Sequence, residues 1–221
     1  MGRAGVRLSH LGFFREEDAI GPLQRDEALL LAALVRVTRP RTLLEFGFSR
    51  GHSAMNFMEV MGPDAKLYSF DIDPLSREIA TTAFAREGRF KYIHKSQTDF
   101  EAGDVDGRMV DFCFIDAAHD LTLNQETWRR IALHLSERAI VAVHDTGTWH
   151  RERFTSRHVE IAAKSPQNWI GADVFQPHKD ERQFVNWICE QPGGWSALHL
   201  HTNNTIRHGV TVLQRGGALP T

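Results

Sequence analysis

Glu45-Phe46-Gly47-Phe48-Ser49-Arg50-Gly51-His52-Ser53 starts at the end of a short stretch that reads as a buried strand, Thr42 to Phe46, and leads into a segment with helical patterning, Ser53 to Met61. Glycines let a backbone turn sharply and approach a ligand closely. The first turn of a following helix offers N–H groups that have no intrahelical partner. A nicotinamide dinucleotide fold would place G-x-G-x-x-G at this point, to seat a pyrophosphate. This chain has G-x-x-x-G preceded by an acidic residue. That arrangement suits a ligand with a cationic amino-acid end.

Outward from this loop, short apolar strands alternate with helices. Leu23 to Val37 carries Leu29, Leu30, Ala33 and Leu34 at helical spacing, and Pro40 stops it. Lys66 to Phe70, Phe90 to His94, Val110 to Ile115 and Ala139 to Val143 read as further strands. The helices between them run from Pro74 to about Glu87 and from Leu123 to Leu135. Such alternation predicts βαβ units and a parallel sheet with helices on both faces. Two late apolar stretches, Ala197 to Leu200 and Val210 to Leu213, predict an antiparallel pair closing one sheet edge, and a helix is expected around Asp180 to Glu190. The expected fold is therefore α/β, Rossmann-like and doubly wound, with a mostly parallel seven-stranded sheet and an antiparallel edge hairpin. One domain spans residues 1–221, with 1–22 as an N-terminal extension and 147–195 as a lid or substrate segment.

Composition narrows the partners. The chain has 221 residues, 42% of them hydrophobic, enough for a sizeable core. Its 26 Lys+Arg nearly balance 28 Asp+Glu, so bulk charge gives no argument for nucleic acid or an anionic membrane. The N-terminus has no long apolar stretch, and Cys113 and Cys189 suggest neither a disulfide framework nor a zinc site. A cytoplasmic protein acting on a small molecule is expected, and a homo-oligomer is left open.

The second strand ends in Asp71, where a carboxylate can accept both hydroxyls of a ribose; Asp73, ahead of Pro74, is the better helix cap. The third strand is followed by Ser96-Gln97, polar residues placed to read an adenine edge. The fourth strand delivers Asp116-Ala-Ala-His119-Asp120 and the fifth His144-Asp145-Thr146. Ligands in open α/β sheets bind at these carboxyl ends. Asp116 and Asp145 can converge on one hard divalent cation such as Mg²⁺, with His144 as a third ligand. The second cluster reads equally as His144-Asp145 or Asp145-Thr146. The bland alternatives are a core histidine at 144 and a loop-orienting Asp145.

The runs LLEFGFSRGHSAMNF, LYSFDIDP, SQ and DFCFIDAAHD resemble class I S-adenosylmethionine-dependent methyltransferases, in particular the catechol and caffeoyl-CoA type and the macrolide-sugar type of O-methyltransferase. The resemblance covers Leu23 to Asp145 and implies that Glu45, Gly47, Phe48 and Gly51 line the methionine end of S-adenosylmethionine, with Ser53 beside it. It implies further that Asp71 holds the ribose, that Ser96 and Gln97 flank the adenine, and that Asp116 lies on the cofactor side as well as the metal side. Catechol-type enzymes keep a lysine base three residues after the first Asp; this chain has His119, as the macrolide-sugar group does. They also keep Asp-Asn where this chain has His144-Asp145. Histidine is suited to taking a proton near neutral pH. Alternatives to cation-assisted O-methylation are a metal-independent N- or O-methyltransferase and a non-catalytic cofactor-binding module.

Overall fold

The computed structural model describes residues 23, 25–146, 179–200 and 209–216. The expected N-terminal extension and most of the expected lid lie outside the described residues.

Seven strands form one sheet: β1 (Thr42–Phe46), β2 (Lys66–Phe70), β3 (Phe90–Ile93), β4 (Val110–Ile115), β5 (Leu135–Val143), β6 (Trp195–Leu200) and β7 (Val210–Arg215). Their order is β3-β2-β1-β4-β5-β7-β6. The first five run parallel, and β7 enters antiparallel beside β5 with β6 outside it. The chain thus reverses its direction of travel between β1 and β4, which is where open α/β sheets bind ligands. All five residues of β1 are buried, as a strand covered on both faces requires.

Among the described residues, five α-helices cover the sheet: α1 (Arg25–Thr38), α2 (His52–Val60), α3 (Pro74–Ala83), α4 (Leu121–Ile131) and α5 (Lys179–Glu190). Ala28, Leu31 and Val35 of α1, Ala54 and Phe57 of α2 and Ala80 of α3 pack with Leu43, Phe112 and Phe114 into one core. Trp128 and Ile131 of α4 and Phe184, Val185 and Ile188 of α5 form the other, with Leu44, Phe46 and Cys113. Alternate residues of β1 therefore face opposite cores, as strand periodicity demands.

The structure moves several expected boundaries. α3 ends at Ala83, and turns made by Glu87 N–H to Phe84 and Phe90 N–H to Glu87 fill the remainder. α4 starts two residues earlier than its apolar pattern, because Asp120 caps it by accepting the Leu123 N–H at 2.8 Å, and its last turn tightens to a 3₁₀ form over Ala132–His134. β5 begins at Leu135, ahead of the charged Glu137 and Arg138, with an irregularity in its register against β4.

The largest correction concerns α1. The residues read at helical spacing were Leu29, Leu30, Ala33 and Leu34. The buried stripe is Ala28, Leu31, Ala32 and Val35, while Ala33 is exposed. The helix is apolar around most of its circumference, so periodicity did not select a face. The rotation carries Glu27 inward, to 1% exposure. A buried carboxylate is costly unless paired, so Glu27 must have a partner.

Candidate active site

The glycine loop is shaped first by its own packing. Gly47 has φ +98°, and a Cβ there would stand 2.1 Å from the Asp116 carbonyl oxygen. Gly51 has φ +79°, and its Cβ would meet the Phe48 ring at 2.7 Å. Neither position accepts another residue without a shift of backbone or core. The Phe48 ring is 1% exposed and packs against Phe84, Phe90 and Tyr92, so what residue 48 offers a ligand is its backbone. Gly47 and Phe48 N–H groups both donate to the Phe70 carbonyl, at 2.9 and 3.2 Å, which ties the loop to the end of β2.

Asp71 strengthens that tie. Its Oδ2 accepts the Ser49 N–H at 2.7 Å and its Oδ1 the Asp73 N–H at 2.9 Å. A carboxylate has about four lone-pair sites, so it retains acceptor capacity toward a ligand while holding the loop. Asp73 caps α3 as expected, accepting the Leu75 N–H at 2.9 Å.

Glu45, beneath the loop, is completely buried. Ser53 and Ser69 hydroxyls donate to its two carboxylate oxygens. Burial pushes its pKa from 4.5 up to about 7, against the two serine hydrogen bonds, which lower it, and with help from the charges of Asp116 and Asp71. The folded chain therefore binds this proton more tightly than the unfolded chain. The associated stability is full below the unfolded pKa and is lost as pH rises through 7. In the unliganded protein, the stability difference between wild type and Glu45→Gln should change by about 3 kcal/mol from pH 4.5 to 7.5, wild type losing ground as pH rises. Denaturant unfolding across that range checks it; a pH-independent difference would mean that Glu45 is ionised throughout.

Ser96 and Gln97 have internal duties. Ser96 caps a 3₁₀ turn by accepting the Thr98 N–H at 3.3 Å. Gln97 is buried; its amide donates to Asn124 Oδ1 at 2.9 Å and accepts the Ala118 N–H at 3.3 Å. Asn124 in turn donates to the Ala118 carbonyl at 2.9 Å. This pair clamps the loop after β4, the segment that carries Asp116 and His119.

Adjacent strand ends bring the second half of the site together. Ile115 of β4 lies opposite Val143 of β5, so Asp116 and His144 leave the sheet side by side. His144 Nδ1 is 3.0 Å from Asp116 Oδ1 and 3.4 Å from Asp145 Oδ1. Its Nε2 is 2.9 Å from Glu27 Oε2. Asp145 adopts φ +56°, a left-handed conformation that turns the chain back over the cluster. Thr146 instead accepts a hydrogen bond from Thr211 of β7 at 2.7 Å, so the register at this strand end puts His144 and Asp145 into the cluster and Thr146 outside it. His119 Nδ1 pairs with Glu181 of α5, and its Nε2 is 3.6 Å from Asp145 Oδ2.

Burial alone would lower the His144 pKa, but the charges of Asp116 and Asp145 and the hydrogen bonds to Asp116 and Glu27 raise it well above the ordinary value. The carboxylates thus already demand a positive charge between them. One donor atom each from Asp116, His144 and Asp145 lies within 4.8 Å of the others, so the three residues fit a divalent cation in both number and chemistry.

Glu27 and Glu181 were not singled out from sequence. Both are carboxylates in line with an apolar helix stripe: Glu27 four residues before Leu31, Glu181 three and four before Phe184 and Val185. For Glu181, an acidic residue in line with the apolar stripe of an amphipathic helix is the signal; for Glu27 no such signal is legible, because α1 is apolar around most of its circumference.

The sheet order and the glycine loop after β1 are those of the class I, S-adenosylmethionine-dependent methyltransferase fold. Residues 44–146 match the family model described as a methyltransferase domain. No curated protein matches the sequence. Among solved structures, the chain is similar to a protein provisionally described as a caffeoyl-CoA O-methyltransferase of Staphylococcus aureus, with TM-score 0.69, 18% identity and coverage of 95% of this chain and 92% of that one. It is similar also to an O-methyltransferase of Bacillus cereus in complex with SAH, with TM-score 0.65, 15% identity and coverage of 94% and 91%. A third is TomG of Streptomyces achromogenes, an O-methyltransferase of tomaymycin synthesis in complex with SAM, with TM-score 0.62, 18% identity and coverage of 95% and 88%. At these identities the likeness is one of fold.

Proposed function

We propose that the enzyme O-methylates a small molecule carrying neighbouring hydroxyls, with a divalent cation at Asp116, His144 and Asp145 and with His119 as general base, in the cytoplasm. One observation carries this reading. His119 is held at Nδ1 by buried Glu181, which leaves Nε2 facing Asp145 at the rim of the acidic cluster. A ring fixed in this way presents one nitrogen to the atom whose proton it takes.

S-adenosylmethionine, when bound, supplies an electrophilic sulfonium methyl. Glu45, the backbone of the Gly47, Phe48 and Gly51 loop, and Ser53 are proposed to receive its methionine end. The cationic end of the ligand favours the ionised form of Glu45, offsetting part of its burial cost. Asp71 takes the ribose with its remaining acceptor capacity, and Ser96 and Gln97 border the adenine. Asp116 joins the two halves, because its backbone carbonyl abuts Gly47 while its carboxylate faces His144. A bound cation, Mg²⁺ or another dication, lowers the pKa of an acceptor hydroxyl. The remaining work of the protein is to hold acceptor and methyl in line.

Catalysis without a metal has one observation in its favour: the raised pKa of His144 lets an imidazolium supply the positive charge. The class of acceptor is tested by incubating the chain with methyl-tritiated S-adenosylmethionine and a panel of vicinal diols, amines and RNA. Base-stable O-methyl label in a diol is expected. Label confined to amines or RNA would overturn the acceptor class.

A further inference from the structure

The His144 ring is fixed at both nitrogens by three residues, Glu27 on α1, Asp116 after β4 and its own neighbour Asp145. Nε2 is 2.9 Å from Glu27 Oε2, across 117 residues of sequence. Nδ1 faces Asp116 Oδ1 at 3.0 Å and Asp145 Oδ1 at 3.4 Å. Glu27 is 1% exposed and His144 3%.

In metal sites, an imidazole ligand regularly gives its other ring N–H to a carboxylate, which fixes tautomer and orientation and raises ligand basicity. Glu27 stands in that relation to His144, on the far side of the ring from Asp116 and Asp145. Donors at 2.0–2.1 Å in an octahedral shell are about 3 Å apart, which is the spacing of Nδ1 from the two carboxylate oxygens. Such a set, one nitrogen and two carboxylates, is not what Mg²⁺ favours. Mg²⁺ takes oxygen ligands and keeps its waters, whereas imidazole suits first-row transition ions.

We propose that Glu27 is a positioning residue that presents His144 Nδ1 as a nitrogen ligand, so that this site selects a first-row transition dication such as Mn²⁺ over Mg²⁺. The inference rests on the cation site proposed above and adds its fourth residue and its ion preference. A tether between α1 and the sheet would need no donor cluster on the opposite edge of the ring.

Mn²⁺ titration followed by loss of the free-ion electron paramagnetic resonance signal, with Mg²⁺ as competitor, tests it on the full chain. Wild type should bind Mn²⁺ at least about tenfold more tightly than Mg²⁺. Glu27→Leu should weaken Mn²⁺ binding about 10–100-fold. Glu27→Gln, whose amide oxygen still accepts the ring N–H, should recover part of the loss. Thermal melting and SAH titration of each variant verify that it is folded. Equal Mn²⁺ affinity in wild type and a folded Glu27→Leu would overturn the role of Glu27 alone. Equal wild-type affinity for Mn²⁺ and Mg²⁺ would overturn the preference. Wild type that binds neither ion would overturn the cation site itself.

Discussion

His119→Ala should lower kcat by about 10²–10⁴ while leaving SAH affinity near that of wild type, the range expected when a general base is removed. His119 stands just past the end of β4, three residues after Asp116. Its side chain is 37% exposed, so a proton taken from the acceptor has a route to solvent. The clamp of Gln97 and Asn124 on Ala118 fixes the backbone immediately before it. His119→Gln keeps polarity and approximate size but takes up no proton in this range, and should be nearly as poor as alanine. Single-turnover rates of both variants, measured beside SAH binding, separate loss of the base from loss of the cofactor site. A variant with wild-type kcat on the true acceptor would remove His119 from the chemistry.

Chelation is expected to have an effect of similar size. Dialysis against EDTA should abolish turnover, and adding back a divalent cation should restore it. Asp145→Asn should raise the cation concentration needed for half-maximal rate, since it removes one of only two carboxylates in the donor set. The measurement is initial rate against free cation concentration for wild type and variant. Full turnover in excess EDTA would leave the methyltransferase assignment standing and transfer the electrostatic role to the His144 imidazolium.

Different parts of this protein were legible in the sequence for different reasons. The central strands were plain because a strand covered on both faces is buried along its whole length and mostly apolar, as Thr42–Phe46 is apart from Thr42 and Glu45. The glycine loop was plain because positive φ at Gly47 and Gly51 leaves little choice of residue. The capping of α3 by Asp73 followed from Pro74. The inner face of α1 was not legible, because two overlapping apolar stripes compete and only contact with the sheet chooses between them. Glu27 was hidden with it, since its burial depends on His144, far away in sequence. Gln97 was assigned to the adenine edge from its position at a strand end, but position does not reveal that Asn124 and Ala118 engage its amide. Likewise, the two N–H groups that Asp71 accepts come from a loop folded back from another strand and from its own turn.

The central claim is that the loop from Glu45 to Gly51, tied down by Asp71, is an S-adenosylmethionine site. Isothermal titration of SAH into the purified chain tests it most directly. Wild type should bind one equivalent with micromolar-range affinity, about −8 kcal/mol. Asp71→Ala should weaken that binding by about 1.5–3 kcal/mol, through loss of charge-assisted hydrogen bonds to the ribose and of the Ser49 anchor. Absence of heat at millimolar SAH in wild type would contradict the claim; wild-type affinity in Asp71→Ala would contradict the assignment of the ribose.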